Sequence, residues 1–334
     1  MAVRSVHFPS FEASLPSMAG KTVVITGTTS GTGRVAARTV AKLGAKVVML
    51  NRPSPRSEAA LEELTSTFPD AEIHSVDCDL QSFASVEAAA EQVGELCPEG
   101  VDVLCNNAGV MALPDRATGD GFDVQMQTNH LSHFLLTRQL MDLLERAAEE
   151  RGEARIVNHT SVARLTPKKT LIADYMEKRG GDLGGDGSSI ANLFFRGPRW
   201  LRYNQSKLAN AAFSAALHHK LQNKGSKVKA LLAHPGLANT QLQQTTVEEG
   251  GMGKLFTNLF MRTGQSQEDG AMGILSCMCL PEAESGQFWG CGLGPLASKG
   301  PAKPSGLESF YDNEETRELL WNKSTEAIGR EFSI

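Results

Sequence analysis

Short apolar, β-branched runs alternate along this chain with longer Ala- and Leu-rich amphipathic stretches. "KTVVIT" is followed by "GRVAARTVAKLG", "AKVVML" by "RSEAALEELTSTF", and "EIHSVDCDL" by "SFASVEAAAEQVGEL". The series continues through "VDVLCNNAG", a long helical stretch from about Phe122 to Glu150, "ARIVNHTS", a helix carrying Tyr203, and "KVKALLAHPG". The short runs are continuously apolar rather than alternating, the pattern of strands covered on both faces. At least six strands interleaved with helices predict an α/β fold built on a doubly wound parallel sheet.

Two stretches break the rhythm. Residues 163–201 contain "RGGDLGGDGSS", rich in glycine and polar residues, which reads as an inserted loop flanked by short helices. Residues 237–266 carry Met252, Leu255, Phe256, Leu259, Phe260 and Met261 around and after "GGMG". That stripe fits either helix packing or a mobile apolar lid over a substrate. No linker divides the chain, so the expectation is an N-terminal arm over residues 1–20 and a single domain over 21–334 that includes both stretches.

Composition narrows the function classes. The 334 residues are 41% hydrophobic and 21% charged, an ordinary globular balance with material for a sizeable core. A net charge of -5 offers no basic field to a phosphate backbone, and Arg196, Arg199 and Arg202 are too few to create one, so nucleic acid is not an expected partner. No apolar run approaches the ~18 residues that span a bilayer. The first 20 residues lack the apolar core of a targeting segment. The expectation is cytoplasmic residence, or an organelle if a targeting segment has been removed. Six scattered cysteines suit reduced thiols, and Cys277 and Cys279, two apart, form neither a zinc pair nor a redox motif. His130 and His133 lack a third ligand nearby in sequence, so no metal site is expected and packing is the reading for both.

Candidate chemistry begins at "VVITGTTSGTGRVAA", which places Gly27, Gly31 and Gly33, with Thr29, Ser30 and Thr32 between them, at a strand-to-helix turn. Glycines there permit close backbone approach, and the N–H groups at the helix start face the pyrophosphate of a dinucleotide. An acid ending the second strand would accept the ribose 2'-hydroxyl of NAD, but this strand ends in Asn51 and Arg52. Asparagine carries no repelling charge and arginine pairs with a 2'-phosphate, so NADP(H) is expected over NAD(H), with Arg34 and Arg56 as subsidiary partners.

In "YNQSK", Tyr203 and Lys207 stand four apart and share one face of a helix. That spacing is weak by itself and gains meaning from its company. Taken in order, the motifs resemble the short-chain dehydrogenase/reductase family from Lys21 nearly to the end of the chain. "TGTTSGTG" resembles its phosphate turn, "DCDL" its adenine contact at Asp79 and Leu80, and "NNAG" the cofactor-side segment with Asn107, Ala108 and Gly109. "TNHLSHFLLT" supplies Asn129, "IVNHTSVA" supplies Ser161, and "HPGLANT" resembles the segment that holds the nicotinamide, with Pro235, Gly236, Leu237 and Thr240. "NHLSHFLLT", "HPG" and "LLWNKSTEAIG" look most like the branch of retinol dehydrogenases and light-dependent protochlorophyllide reductases. The 42 residues from Ser161 to Tyr203 far exceed the family's usual interval and resemble the latter enzymes. Their cysteine after Pro-Gly is Leu237 here, against the light-driven reaction. No stretch of the given residues resembles the membrane-anchoring N-terminal helix common among retinol dehydrogenases, so retinoid work at a membrane is not expected.

The resemblance implies a Rossmann fold and four catalytic positions. Tyr203 would exchange the proton, Lys207 would lower its pKa from ~10, Ser161 would hold the substrate oxygen, and Asn129 would keep a water in the path to Lys207. His159 and His234 would touch substrate or make structural hydrogen bonds. The main expectation is NADP(H)-dependent reduction of a carbonyl, or oxidation of the alcohol, on a bulky lipophilic small molecule. The alternatives are reduction of a C=C double bond and a non-catalytic NADP-binding sensor or scaffold. A homodimer through the helices near 122–150 and 202–223 is the oligomer that the family suggests.

Overall fold

In the computed structural model of this protein, the apolar runs become neighbours in one sheet. The strands are β1 (Thr22–Thr26), β2 (Lys46–Asn51), β3 (Ile73–Asp77), β4 (Val103–Asn106), β5 (Ala154–His159), β6 (Val228–Ala233), β7 (Gln287–Leu293) and β8 (Lys299–Gly306). Their spatial order is β3-β2-β1-β4-β5-β6-β7-β8. Every pair is parallel except β7 with β8. The structure describes residues 3–165, 169–188, 191–192, 195–238, 246–251, 264–293 and 298–334.

Helices α1 (Phe8–Ser14), α2 (Gly31–Lys42), α3 (Pro55–Thr67) and α8 (Gln267–Cys279) contribute to the core on one face. The other face is covered by α4 (Phe83–Leu96), α6 (Ser132–Arg151), α7 (Pro198–Lys224) and α9 (Glu314–Ile328). Neighbouring strand residues serve opposite cores: Val24 joins one, Val23 and Ile25 the other. Burying each such aliphatic side chain contributes roughly 1.5–3 kcal/mol, which is why both faces are apolar. Strand order reverses between β1 and β4, opening a crevice at their C-terminal ends where ligands of such sheets bind.

The long helix expected from Phe122 is interrupted. A short α5 (Val124–Met126) passes through a π-turn over Gln127–Leu131 before α6 begins. The irregularity falls on Asn129, and single π-turns recur at functional sites.

The C-terminal helix packs on α6 and α7. Trp321 of α9 meets Phe134 edge-on at 5.1 Å and Phe213 at 6.2 Å, and stacks on Phe332 at 4.9 Å. His130 Nε2 bonds Ser324 Oγ at 2.8 Å.

The insertion wraps a buried cation. Arg202, in the first turns of α7, is 0% exposed, and its guanidinium donates to the carbonyls of Leu113, Leu183 and Gly185. Its Nε lies 3.2 Å from Asp123 Oδ2, and Asp115 and Asp186 stand at 3.6 and 4.0 Å. Asp115 also accepts from the Leu183 and Gly185 amides, at 3.0 and 2.6 Å. The polar glycine-rich segment is thus ordered around charge rather than around apolar contacts.

Candidate active site

Each element delivers one part of the site to the C-terminal end of the sheet. After β1 the chain turns at Gly27, with φ +72°, into α2. A Cβ at Gly33 would strike the Gly27 carbonyl and the Asn107 amide, so only glycine lets α2 start this close to β1. Ser30 begins α2 without a side-chain cap, whereas Ser54, Ser82, Ser266 and Asn313 cap α3, α4, α8 and α9. First-turn N–H groups are left for an anionic ligand such as a pyrophosphate. That geometry fits a dinucleotide. Thr29 and Ser30 are half-buried on this turn.

Asn51 is 3% exposed and serves the turn: its Oδ1 accepts from the Thr28 amide, and its Nδ2 donates to Thr28 Oγ1, both at 2.8 Å. Its amide therefore faces the turn. Arg52 beside it is exposed and forms no ion pair among the described residues, whereas Arg34 pairs with Glu63 of α3. Asp79 and Leu80 follow β3. Asp79 Oδ1 accepts from the Gln81 amide at 3.0 Å, and the Leu80 carbonyl accepts from Ser132 Oγ at 2.7 Å.

The segment Asn107–Gly109 is bolted to the phosphate turn. Asn107 Nδ2 donates to the Thr26 and Gly27 carbonyls, and its Oδ1 accepts from Thr32 Oγ1 at 3.0 Å and His159 Nδ1 at 2.9 Å. Thr26 Oγ1 accepts the Asn107 and Ala108 amides, both at 3.0 Å. His133 Nδ1 must donate to the Asn129 carbonyl, so its Nε2 accepts the Thr26 hydroxyl proton at 2.9 Å. Burial holds His133 near pKa 4 and His159 near 3, which keeps both rings neutral.

Asn129 accepts the Val110 amide at 2.7 Å and donates to the Val110 carbonyl and to Ser206 Oγ. A Cβ at Gly109 would lie 3.1 Å from Asn129 Oδ1 and 3.2 Å from Lys207 Nζ, so the backbone passes between them. Lys207 Nζ donates to the His159 carbonyl at 3.2 Å and lies 6.0 Å from the centre of the Tyr203 ring. Half-buried Ser161 hydrogen-bonds the Tyr203 hydroxyl. Four residues separated by 78 positions of sequence are thereby brought to one place.

The electrostatics differ from the expected pattern. Burial pushes the Tyr203 phenol up to about 12, opposed by its Ser161 hydrogen bond, and pushes Lys207 down to about 8. Desolvation of both groups outweighs the attraction that one helical turn of separation suggests.

Past β6, Gly236 adopts φ +64°, and a Cβ there would collide with the Ser298 carbonyl. Its amide donates to His234 Nδ1 at 3.0 Å, and the Leu237 amide donates to the Ser298 carbonyl at 2.7 Å, fixing the turn after Pro235. Thr240 and the residues Met252, Leu255, Phe256, Leu259, Phe260 and Met261 lie outside the described residues. Residues 246–251 are anchored beside the site: Thr246 Oγ1 donates to the Met111 carbonyl, Arg199 to the Glu249 carbonyl and Trp200 Nε1 to the Gly251 carbonyl. Met111, Ala112, Trp200 and Tyr203 form a buried cluster of their own, flanked by Ala163, Phe195 and Val247.

Sequence reasoning passed over Ser206, Thr26, Arg164 and Arg202, whose partners are distant in sequence. A separate cavity of about 710 Å³ lies between Lys21, Lys46, Glu72 and Arg151, at the opposite end of the sheet. Its cations are paired with Asp102 and Glu72.

The family profile described as short chain dehydrogenase matches residues 21–181. Mouse retinol dehydrogenase 12 is 33% identical over 93% of this chain and 87% of its own length. The crystal structure of an uncharacterized protein from Mycobacterium paratuberculosis superposes with TM-score 0.72 and 31% identity, covering 97% and 98% of the two chains. A 3-ketoacyl-(acyl-carrier-protein) reductase from Brucella melitensis, complexed with NADH, gives TM-score 0.57 and 25% identity over 80% and 93%. Among the described residues no helix is long and apolar enough to cross a membrane.

Proposed function

The chain belongs to the short-chain dehydrogenase/reductase family, in its retinol dehydrogenase-like branch, and from that premise we propose that it reduces the carbonyl of a bulky, lipophilic small molecule with NADPH, or oxidises the corresponding alcohol. The observation that carries this reading is the meeting of Ser161, Tyr203 and Lys207 beside an apolar wall. NADPH, when bound, supplies the hydride. Gly27, Gly31 and Gly33 with the first turn of α2 would hold its pyrophosphate, and Arg52 would pair with its 2'-phosphate. Ser161 donates to the carbonyl oxygen, orienting it and stabilising the charge that accumulates there. Tyr203 transfers its hydroxyl proton to that oxygen, and the Lys207 ammonium stabilises the phenolate left behind. Asn129 holds Val110 and Ser206 in place, which fixes the backbone that passes beside Lys207. Phe195, half-buried and packed on the cluster that includes Met111 and Trp200, offers an apolar surface that favours an apolar substrate over a polar one. The protein works in the cytoplasm in this reading.

Arg52→Ala is expected to raise the KM for NADPH about ten- to a hundredfold, the worth of one charge-assisted contact, and to leave that for NADH unchanged. Steady-state kinetics with each cofactor on a panel of lipophilic aldehydes checks both cofactor and substrate class. Equal use of NADH and NADPH, untouched by the substitution, would refute the cofactor assignment. Turnover of enones at C=C with no turnover of aldehydes would refute carbonyl reduction.

The direction of the pH response follows from the site. Lys207 is charged below its pKa of about 8, and Tyr203 keeps its proton to about 12. Reductive kcat is therefore expected to be level below pH 8 and to fall above it as the ammonium is lost. A pH-rate profile that climbs from 8 to 10 in the reductive direction would contradict these roles.

A further inference from the structure

The turn that carries Ser161 holds a buried arginine that the proposed chemistry does not use. Arg164 sits in the 3₁₀ turn Val162–Leu165 and is 4% exposed. Its Nη1 and its backbone amide both donate to the Ser161 carbonyl, each at 3.1 Å. Nε donates to Glu308 Oε2 at 2.6 Å, from the segment between β8 and α9. The guanidinium carbon lies 4.3 Å above the Phe288 ring. That ring in turn stacks on His234, with centroids 5.3 Å apart and planes 29° apart. His234 accepts the Gly236 amide. One guanidinium thus touches, directly or through two rings, both Ser161 and the Pro235–Gly236 turn.

An ion pair between a buried guanidinium and a partly exposed carboxylate rarely improves stability over well-packed apolar side chains, so stability alone gives little reason for a charge here. Geometry gives a reason. A planar guanidinium can stack on a ring while donating in two directions in its plane, which an ammonium cannot do. We propose that Arg164, oriented by Glu308, is a positioning residue that sets Ser161 and the Pro235–Gly236 turn relative to each other. The inference rests on the oxidoreductase reading above and concerns how its two walls are kept in register. Misplacement of a reacting group by ~1 Å costs on the order of a hundredfold in rate.

The experiment uses the full chain with Arg164→Ala, Arg164→Lys and Glu308→Gln, measuring kcat, NADPH affinity by cofactor fluorescence, and kcat with millimolar guanidinium added. Arg164→Ala is expected to lower kcat about a hundredfold with NADPH affinity within a few-fold of wild type. Arg164→Lys should remain impaired, because it restores charge without the planar fork. Added guanidinium should restore part of the Arg164→Ala rate, and the same concentration of sodium chloride should not. Glu308→Gln, nearly isosteric, should lower kcat about tenfold, and it carries the test if Arg164→Ala does not fold. Wild-type kcat in Arg164→Ala and Glu308→Gln, alongside an inactive Tyr203→Phe, would overturn the positioning role and leave the proposed reaction standing. Parallel loss of kcat and NADPH binding with no guanidinium rescue would also overturn it. Wild-type turnover by Tyr203→Phe would instead strike the proton role of Tyr203, and absence of turnover of every aldehyde and alcohol by the unmodified chain would strike the oxidoreductase reading itself.

Discussion

Tyr203→Phe is expected to lower kcat by about 10²–10⁴, the range that a positioned general acid contributes, with NADPH affinity close to wild type. The substitution removes one oxygen and keeps the ring. The edge-on contact with Trp200, at 6.0 Å between ring centres, survives, and the phosphate turn is untouched. Loss of one buried hydroxyl that bonds Ser161 should cost only about 1 kcal/mol of stability. Activity and stability therefore separate: rapid-mixing kinetics should show the fall, and thermal melting should show a small shift. Wild-type turnover in this variant would remove Tyr203 from the proton path and with it the proposed mechanism.

The second large effect is on stability. Arg202→Met preserves length and apolar volume but removes the cation around which the insertion is folded. Asp123, 1% exposed, and the side chain of Asp115, 8% exposed, would lose their counter-charge, and the Leu113, Leu183 and Gly185 carbonyls would lose their donor. Breaking a buried pair from one side costs about 3–5 kcal/mol. Burial already pushes the Asp123 carboxyl up to about 6, and without Arg202 it rises further. A group whose folded pKa is raised contributes stability at low pH that is lost as pH climbs through that value. The deficit of Arg202→Met should therefore be smaller at pH 5 than at pH 8, and adding Asp123→Asn should recover part of it at pH 8. Urea denaturation at the two pH values measures this. A deficit under 1 kcal/mol at pH 8 would mean that the insertion is held by something else.

The two effects differ in how visible they were in the sequence. Tyr203 stands out because Lys207 is one helical turn away and because "YNQSK" falls in order among contiguous motifs that resemble those of the family. Arg202, one position earlier, looks like a member of a small surface cluster with Arg196 and Arg199. Its burial depends on Leu113, Asp123 and Gly185, which come from three separate segments. The same reason hid Arg164, whose carboxylate partner is 144 residues away. β7 and β8 escaped for another reason. "QFWGCGL" carries two glycines where strand patterns want branched apolar residues, and "KGPAKPSG" carries prolines as well, a composition tolerated because β8 is the edge of the sheet. The expected lowering of the Tyr203 pKa failed because a neighbour in the helix is legible, while the burial that outweighs it is not.

What the sequence by itself determined is the order of the first six strands with their helices and the identity of the turn and helix motifs, because each follows from residues within about one turn or one strand of each other, and the family, because those motifs recur in its order along the chain. The tertiary structure alone decided which charges are buried and which helix face is covered. It also set the pKa directions of Tyr203 and Lys207. Those depend on desolvation, and desolvation is a sum over neighbours that the chain brings together only when it folds.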